Sequence, residues 1–189
     1  MTTHYIDITL LPDPEFSHAH LLNALFAKLH RALVQLGTGE VGVSFPGLST
    51  RGNHLGSTLR LHGTEPALQR LQALPWLQGM RDHVQASAIS PAPAGAHAHR
   101  AVRRVQAHSN PDRLRRRQMR RHGYDEAEAQ RRIPDTAARQ LDLPFVQLHS
   151  ASTEQAFRLF IQHGPLQPTP RHGTFSAYGL SPETTIPWF

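Results

Sequence analysis

The chain has 189 residues, 39% of them hydrophobic and none of them cysteine; this length suits one large domain or two small ones, and the missing thiols exclude disulfides, thiolate catalysis and zinc knuckles. The formal net charge is +6, and residues 91–189 carry all of it, with fourteen arginines and eight acidic residues. No run approaches the ~20 apolar residues of a membrane span, and the first ten residues do not resemble a secretory signal, so we expect a cytoplasmic protein.

The first half of the chain alternates between strand and helix patterns. Period-two alternation predicts a strand over His4–Leu10, and apolar residues at helical spacing predict a helix capped by Ser17 and closed by Gly37. Three further strands and a short helix complete the pattern, at Val41–Phe45, Thr58–His62, Met80–Gln85 and Pro66–Leu74. The order β-α-β-β-α-β predicts a ferredoxin-like domain, a fold that does not by itself define a function.

Residues 87–99 are small, proline-rich and free of charged side chains, which predicts a linker between a domain at 1–86 and a second one at 100–189. We expect an α+β fold, in which the N-terminal ferredoxin-like domain is joined to a smaller C-terminal α+β domain bearing an arginine-rich helix. The second domain is predicted to contain strands at 102–106, 144–150, Ala156–His163, Thr174–Leu180 and Thr185–Trp188, and helices after Asn110, at Asp125–Arg132 and at Asp135–Leu141.

The arginine-rich helix begins within the stretch RRVQAHSNPDRLRRRQMRRH at Arg103–His122. Ser109 or Asn110 suits its N-cap, Pro111 its first turn and Gly123 its end. At a spacing of i, i+3, i+4, i+7 and i+8, one helix face collects five guanidinium groups, those of Arg113, Arg116, Arg117, Arg120 and Arg121.

This arginine face has two interpretations. A run of charge is usually a solvated helix face with i,i+4 ion pairs, yet Asp112 is the only acid between Arg100 and Arg121. Basic residues also complement the C-terminal end of a helix dipole, but that explains only the last turn. A one-sided row of arginines without acidic neighbours in the sequence therefore favours a polyanionic partner. We expect Leu114 and Met119 to pack inward.

Several longer motifs occur in a fixed order along nearly the whole chain. They are PDPEF at Pro12–Phe16, KLH at Lys28–His30, GVSFP at Gly42–Pro46, the arginine-rich stretch at Arg104–His122, RIPDT at Arg132–Thr136, LDLPFV at Leu141–Val146, FRLFI-HGPLQ at Phe157–Gln167, and YGLS and PWF near the end. These motifs resemble the type I-F CRISPR-associated endoribonucleases of the Csy group, which cleave the repeat hairpin of precursor CRISPR RNA. The chief departures from the family pattern lie in Ala86–Arg103, Leu48–Ser57 and Thr169–Gly173.

The resemblance implies a catalytic group made of His30, Ser150 and Tyr178. In this family pattern His30 is the general base or proton shuttle, Ser150 holds the attacking 2′-hydroxyl, and Tyr178 helps to orient the imidazole. Because RNA carries its own nucleophile, the expected products are a 2′,3′-cyclic phosphate (or 3′-phosphate) and a 5′-hydroxyl, with no metal or cofactor. On the residues alone, a structural role for each of the three side chains stays open.

The resemblance also implies an RNA interface. Arg104 and Gln106 would read base pairs at the foot of the stem, since arginine forks onto guanine and glutamine pairs with adenine. Phe157 would stack on a nucleobase near the cut, although a buried strand position is its alternative role. The groove phosphates would contact Arg113, Arg116, Arg117, Arg120, Arg121 and His122. The expected partners are the CRISPR repeat hairpin, as precursor and mature CRISPR RNA, and the other subunits of the type I-F surveillance complex.

Two rival interpretations assign functional roles to different residues. An RNA-binding module that does not cleave would use the arginine face and leave His30, Ser150 and Tyr178 without a catalytic role. A metal-dependent hydrolase is suggested by fourteen histidines. The only closely spaced pairs of histidines in the sequence are His18-x-His20 and His97-x-His99, and no HExxH motif is present. We therefore expect no metal site.

Overall fold

The protein is described by a computed structural model that covers residues 2–49, 51, 53–95, 98–106, 111–134, 141–150 and 155–189, with the side chains of 111–113 left out. The predicted caps Ser109 and Asn110, and residues 135–140 of the third predicted helix, lie outside the described residues. In the part of the chain that is covered, no helix is long and apolar enough to cross a membrane.

The elements follow one another as strands β1 to β9 and helices α1 to α4. In chain order they are β1 His4–Leu10, α1 His18–Leu36, β2 Gly42–Ser44, β3 Thr58–Gly63, α2 Glu65–Gln72, β4 Val84–Ala86, β5 Ser90–Pro91, β6 Ala98–Val105, α3 Pro111–His122, α4 Glu126–Arg132, β7 Phe145–His149, β8 Ala156–His163 and β9 Thr185–Trp188. This mixture of helices and antiparallel sheets confirms the predicted α+β class.

The chain folds into two units. The first consists of Met1–Arg104 and Leu143–Phe189, and it contains both sheets apart from Val105. The second, Val105–Asp142, contains α3 and α4, which pack against each other. The predicted division into domains at 1–86 and 100–189 with a linker at 87–99 stays a prediction.

The first sheet has the strand order β2-β3-β1-β4, with β5 paired to the end of β1. Together with the succession β-α-β-β-α-β, this order confirms the ferredoxin-like prediction. Helix α1 begins where the Ser17 hydroxyl accepts a hydrogen bond from the His20 N–H, and it ends at Gly37 in the left-handed conformation (φ 64°). Its apolar stripe is buried against the sheet and supplies Leu21, Leu22, Leu25, Phe26, Leu29, Ala32 and Leu33 to the core.

The second sheet has the order β7-β8-β6-β9. The predicted strands Ala156–His163 and Thr185–Trp188 are confirmed. The buried side chains of this sheet, such as Val146 and Leu159, belong to the same hydrophobic core as α1. The Gln147 N–H donates to the Asn23 side-chain oxygen at 2.8 Å, so that β7 is attached directly to α1.

One predicted strand, Met80–Gln85, begins later than expected, and another, Thr174–Leu180, is wrong. Residues 80–83 form turns, because the Met80 N–H bonds to the Leu77 carbonyl and the His83 N–H to the Met80 carbonyl, and the strand begins only at Val84. Residues 174–180 form a tight turn, in which Gly179 has a φ of 69° that an extended strand cannot contain. The sequence pattern did not reveal either feature, since it does not encode these hydrogen bonds.

The segment predicted as a linker contains paired backbone. Ser90 and Pro91 pair with Tyr5 and His4 of β1, and β6 begins at Ala98, earlier than the predicted strand at 102–106. Composition predicted an irregular segment here, because small residues and prolines carry little periodic signal, whereas hydrogen bonding to a strand edge requires only a free edge.

Two histidines of the first unit, one fully buried and one half-buried, are held in neutral form. His62 is fully buried and shares a 2.8 Å hydrogen bond with the Ser44 hydroxyl. Burial lowers its pKa to about 3, assisted by the positive charge of Arg60 and by His163. Burial likewise lowers the pKa of His163 to about 4, with Arg100 contributing.

We expect these two histidines to make the fold acid-sensitive. In the unfolded chain histidine binds a proton near its ordinary pKa of 6.5, whereas in the folded protein His163 and His62 bind one only at about 4 and about 3. The contribution of these two histidines to the free energy of unfolding is therefore complete above pH 6.5. It is lost as the pH falls, by up to about 1.4 kcal/mol per pH unit for each of the two.

Urea unfolding at pH 7 and pH 5 checks this expectation. His62→Gln should show a smaller loss of unfolding free energy between the two pH values than wild type, while His18→Gln, at an exposed position, should match wild type. An unchanged pH dependence in His62→Gln would contradict the assignment.

Candidate functional site

The first predicted site residue, His30, lies on α1 at the edge of the buried stripe and is partly exposed. Its Nδ1 atom is 2.8 Å from the Ala177 carbonyl oxygen. A carbonyl oxygen only accepts, so Nδ1 carries the proton and donates it to this bond. In the neutral ring Nε2 is then the basic nitrogen, and it is the atom with which His30 can accept a proton.

Tyr178 lies flat against the same imidazole. The two ring centroids are 4.1 Å apart and the rings are inclined by only 12°. Since Ala177 and Tyr178 are consecutive residues of the turn that replaces the predicted strand, a single short segment fixes His30 by one ring edge and by one ring face. The structure thus brings together His30 and Tyr178, two residues that are 148 positions apart in the sequence.

Arg104 extends this group. It ends the first-unit part of β6, is exposed, and places its guanidinium carbon 5.9 Å from the Tyr178 ring and 5.9 Å from the Phe157 ring. Both distances fall at the limit of a cation–π contact. His30, Tyr178, Arg104 and Phe157 therefore form a continuous row in which one exposed cation lies between two aromatic rings.

The structure leaves open both roles that were considered for Phe157. The side chain lies on the core side of β8 with Leu159 and Ile161 and packs against the hydrophobic core, yet it is only partly buried. The core therefore does not enclose the whole ring, and stacking on a nucleobase stays a prediction.

Ser150 follows the last residue of β7 and is partly buried. Its N–H donates to the Gln155 carbonyl at 3.0 Å, at the start of β8. Because β7 is bonded to Asn23 on α1, the strand that ends beside Ser150 is attached to the helix that carries His30. This attachment lies within the first unit.

The arginine face of α3, in the second unit, has the predicted orientation. Arg116, Arg117, Arg120 and Arg121 are exposed and line one open groove. Leu114 and Met119 are half-buried, as expected. Arg115 points elsewhere and donates to the Ile133 carbonyl at 2.8 Å. Arg113 lies on the same helix, and its side chain is outside the described part of the chain.

Glu128, on the neighbouring helix α4, forms its ion pairs within its own helix. Glu128 pairs with both Arg131 and Arg132, and the hydrogen bond from Arg132 lowers the pKa of the Glu128 carboxyl. Within the described ranges no ion pair involves Arg117, Arg120 or Arg121. Arg117, Arg120 and Arg121 therefore present positive charge that Glu128 does not neutralise.

Two further predicted RNA contacts flank the arginine face in the chain. His122, the last residue of α3, stacks on Tyr124 with ring centroids 5.3 Å apart, and the Arg132 guanidinium lies 4.3 Å from the Tyr124 ring. Gln106 follows β6 and is exposed.

One component of the site escaped the sequence analysis, the Ala177 carbonyl that holds His30. It is a backbone atom, so its role cannot be predicted from the type of residue that carries it. The only available signal was Gly179, since a glycine close to a functional residue is typical of a turn. As for metal ligands, the described residues contain no group of three or more histidine, aspartate or glutamate side chains that could hold an ion.

Comparison with known proteins matches the amino-acid sequence to a family. A family model described as "CRISPR-associated protein (Cas_Csy4)" matches residues 5–189. A relative from Pseudomonas aeruginosa (strain UCBPP-PA14), named CRISPR-associated endonuclease Cas6/Csy4, is 56% identical over 188 residues, which cover 98% of this chain and 99% of the relative. A relative of the same name from Escherichia coli (strain UTI89 / UPEC) is 47% identical over 186 residues, which cover 98% of this chain and 99% of that relative. The chain belongs to the Csy4 family of CRISPR-associated proteins.

Proposed function

We propose that this protein is an endoribonuclease that binds the repeat hairpin of precursor CRISPR RNA and cleaves it at the base of the stem, giving mature guide RNA. The relatives in its family are named CRISPR-associated endonucleases. The observation that carries the proposal is the His30 imidazole, which is fixed by the Ala177 carbonyl and by Tyr178 and has its Nε2 atom left for proton transfer.

In the proposed reaction the RNA supplies the nucleophile. The 2′-oxygen forms a bond to the adjacent phosphorus while the bond from phosphorus to the 5′-oxygen breaks. His30 accepts the 2′-hydroxyl proton at Nε2, and the departing 5′-oxygen takes a proton either from the protonated His30 imidazole or from water. The products are a 2′,3′-cyclic phosphate and a 5′-hydroxyl, and no metal ion is required for this chemistry.

The other two residues of the catalytic group orient the reactants. Ser150 holds the 2′-hydroxyl in line with the scissile phosphate, and Tyr178 holds the imidazole by stacking on it. Alignment of this kind lowers a typical enzymatic barrier by several kcal/mol, and at best by about 7–11 kcal/mol. Phe157 stacks on a nucleobase beside the cut.

Recognition of the hairpin uses two sets of side chains. Arg104 and Gln106 read the lowest base pairs of the stem through guanine and adenine edges. The A-form major groove is narrow, but the open end of a short stem admits these side chains. The groove phosphates contact Arg113, Arg116, Arg117, Arg120, Arg121 and His122. We also propose that the guide RNA stays bound and is delivered to the other subunits of the type I-F surveillance complex.

Incubation with an end-labelled repeat hairpin in excess EDTA tests the proposed function. We expect complete cleavage at one phosphodiester in the presence of the chelator, and end-group analysis should find a cyclic or 3′-phosphate on the upstream fragment and a 5′-hydroxyl on the downstream one. Fragments with a 3′-hydroxyl and a 5′-phosphate would contradict the mechanism. RNA that is bound but intact would support the non-cleaving module instead.

A further inference from the structure

The turn that holds His30 is organised by one hydroxyl group. The Ser176 Oγ atom accepts hydrogen bonds from the Tyr178 N–H and the Leu180 N–H, both at 3.3 Å. The backbone of Ser176 closes the same turn, since its N–H donates to the Leu180 carbonyl at 2.9 Å and its carbonyl accepts from the Gly179 N–H at 2.8 Å. Ser176, which precedes the Ala177–Tyr178 peptide, thus bonds to the residues that follow it, Tyr178, Gly179 and Leu180.

The two ends of this turn are anchored to the first sheet and its loop. The Val43 N–H of β2 donates to the Gly179 carbonyl at 2.9 Å, and the Phe175 N–H donates to the Gly39 carbonyl at 2.9 Å. At Gly179 a Cβ atom would lie 2.6 Å from a methyl group of Val43, so the chain approaches β2 too closely for any other residue. Between these anchors, residues 176 and 177 are exposed, and the Ser176 hydroxyl is the internal support of that exposed segment.

From this arrangement we propose that Ser176 is a positioning residue whose hydroxyl, by holding the Ala177–Tyr178 peptide, keeps His30 in the tautomer with the proton on Nδ1. In a neutral imidazole, a ring nitrogen that forms a hydrogen bond to a carbonyl oxygen is the nitrogen that carries the proton, because a carbonyl oxygen only accepts. That bond is made here to the Ala177 carbonyl, which lies one residue after Ser176. The Tyr178 N–H, on the same peptide group as that carbonyl, is the group that the Ser176 hydroxyl binds.

The consequence for catalysis rests on the proposed function. With the proton on Nδ1, the Nε2 lone pair accepts a proton from the 2′-hydroxyl. With the proton on Nε2, the same nitrogen is a donor and cannot accept. Loosening the turn mixes the two tautomers and lowers the fraction of molecules that are competent for the first proton transfer.

Nitrogen-15 NMR of the histidine rings, without RNA and at a pH where the imidazole is neutral, tests the proposal directly. The His30 signals are identified by their absence in His30→Gln. We expect wild type and Ser176→Thr, which retains a hydroxyl, to show one His30 tautomer with the proton on Nδ1. Ser176→Ala should show a mixture of the two His30 tautomers. Ser176→Cys keeps the shape of the side chain but is a weaker acceptor, so it should show a smaller proportion of the second tautomer.

The single-turnover cleavage rate gives the second measurement. We expect Ser176→Ala to cleave the hairpin about tenfold more slowly than wild type, a part of the 10²–10⁴-fold effect of a general base, with hairpin affinity unchanged. Ser87→Ala is the matched control, because the Ser87 hydroxyl also accepts a backbone N–H, that of Asp7 at 3.0 Å. This control should cleave at the wild-type rate.

A pure Nδ1–H tautomer in both Ser176→Ala and Ser176→Cys overturns the proposal, as does a loss of hairpin affinity as large as the loss of rate. If Ser176→Ala does not fold, Ser176→Cys decides in the same way. If wild type does not cleave at all, the proposed function fails, while the NMR comparison still decides whether Ser176 sets the tautomer.

Discussion

Replacing His30 with alanine should lower the single-turnover cleavage rate of the repeat hairpin by about 10³-fold or more, while the hairpin affinity stays within about threefold of wild type. General acid–base groups contribute about 10²–10⁴-fold to such rates. The partly exposed imidazole makes a hydrogen bond to Ala177 and a stacking contact with Tyr178, and neither contact requires RNA. Rates are measured with enzyme in excess over labelled RNA, and affinities by filter binding of a hairpin with a 2′-deoxy nucleotide at the cut.

His18→Ala provides the matched control for this experiment. His18 is the first residue of α1 and is exposed, so its loss removes an imidazole from the same helix without touching the Ala177–Tyr178 turn. We expect the control to cleave like wild type. If His30→Ala loses affinity in proportion to its rate, or unfolds at a much lower temperature than His18→Ala, His30 has a structural role and the proposed mechanism is wrong.

The second large effect concerns the arginine face of α3. Replacing Arg116, Arg117, Arg120 and Arg121 together with alanine should weaken hairpin binding by about 10³-fold, at on the order of 1 kcal/mol for each lost phosphate contact. Each such contact also adds about 0.7–0.9 to the slope of log affinity against log salt, so the slope should fall by about three. Binding titrations between low and moderate salt measure both quantities, and we expect the loss to be similar for hairpins of different stem sequence, since phosphates carry no sequence information.

A comparison of two double variants controls for net charge. Arg117→Ala/Arg120→Ala and Arg131→Ala/Arg132→Ala remove the same charge from neighbouring helices of the second unit, but Arg131 and Arg132 are paired with Glu128. The first double variant should lose much of the salt dependence and the second should change little. Equal effects of the two double variants would show that binding depends on total charge rather than on a specific helix face. If the affinity of wild type does not change with salt, the arginine face does not contact the RNA.

Local physics explains which parts of the fold were predictable. The Ser17 cap, the Gly37 terminus and the apolar stripe of α1 are encoded within a few residues of one another, so periodicity and capping rules locate the helix. The arginine face follows in the same way from a spacing of three and four residues. The turn at 174–180 was missed because its hydrogen bonds to Gly39 and Val43 join positions that are remote in the sequence.

The proposed catalytic group was likewise predictable only in part. His30, Ser150 and Tyr178 were identified as candidates from the resemblance of the motifs, since each residue by itself suits an ordinary structural position. The amino-acid sequence alone determined a neutral first half of strands and helices and a helix with arginines on one face, because charge and periodicity are properties of neighbouring residues. Only the tertiary structure decided that the Ala177 carbonyl and the Tyr178 ring hold His30 and leave Nε2 available, because a backbone oxygen has no identity in the sequence until folding places it 2.8 Å from an imidazole.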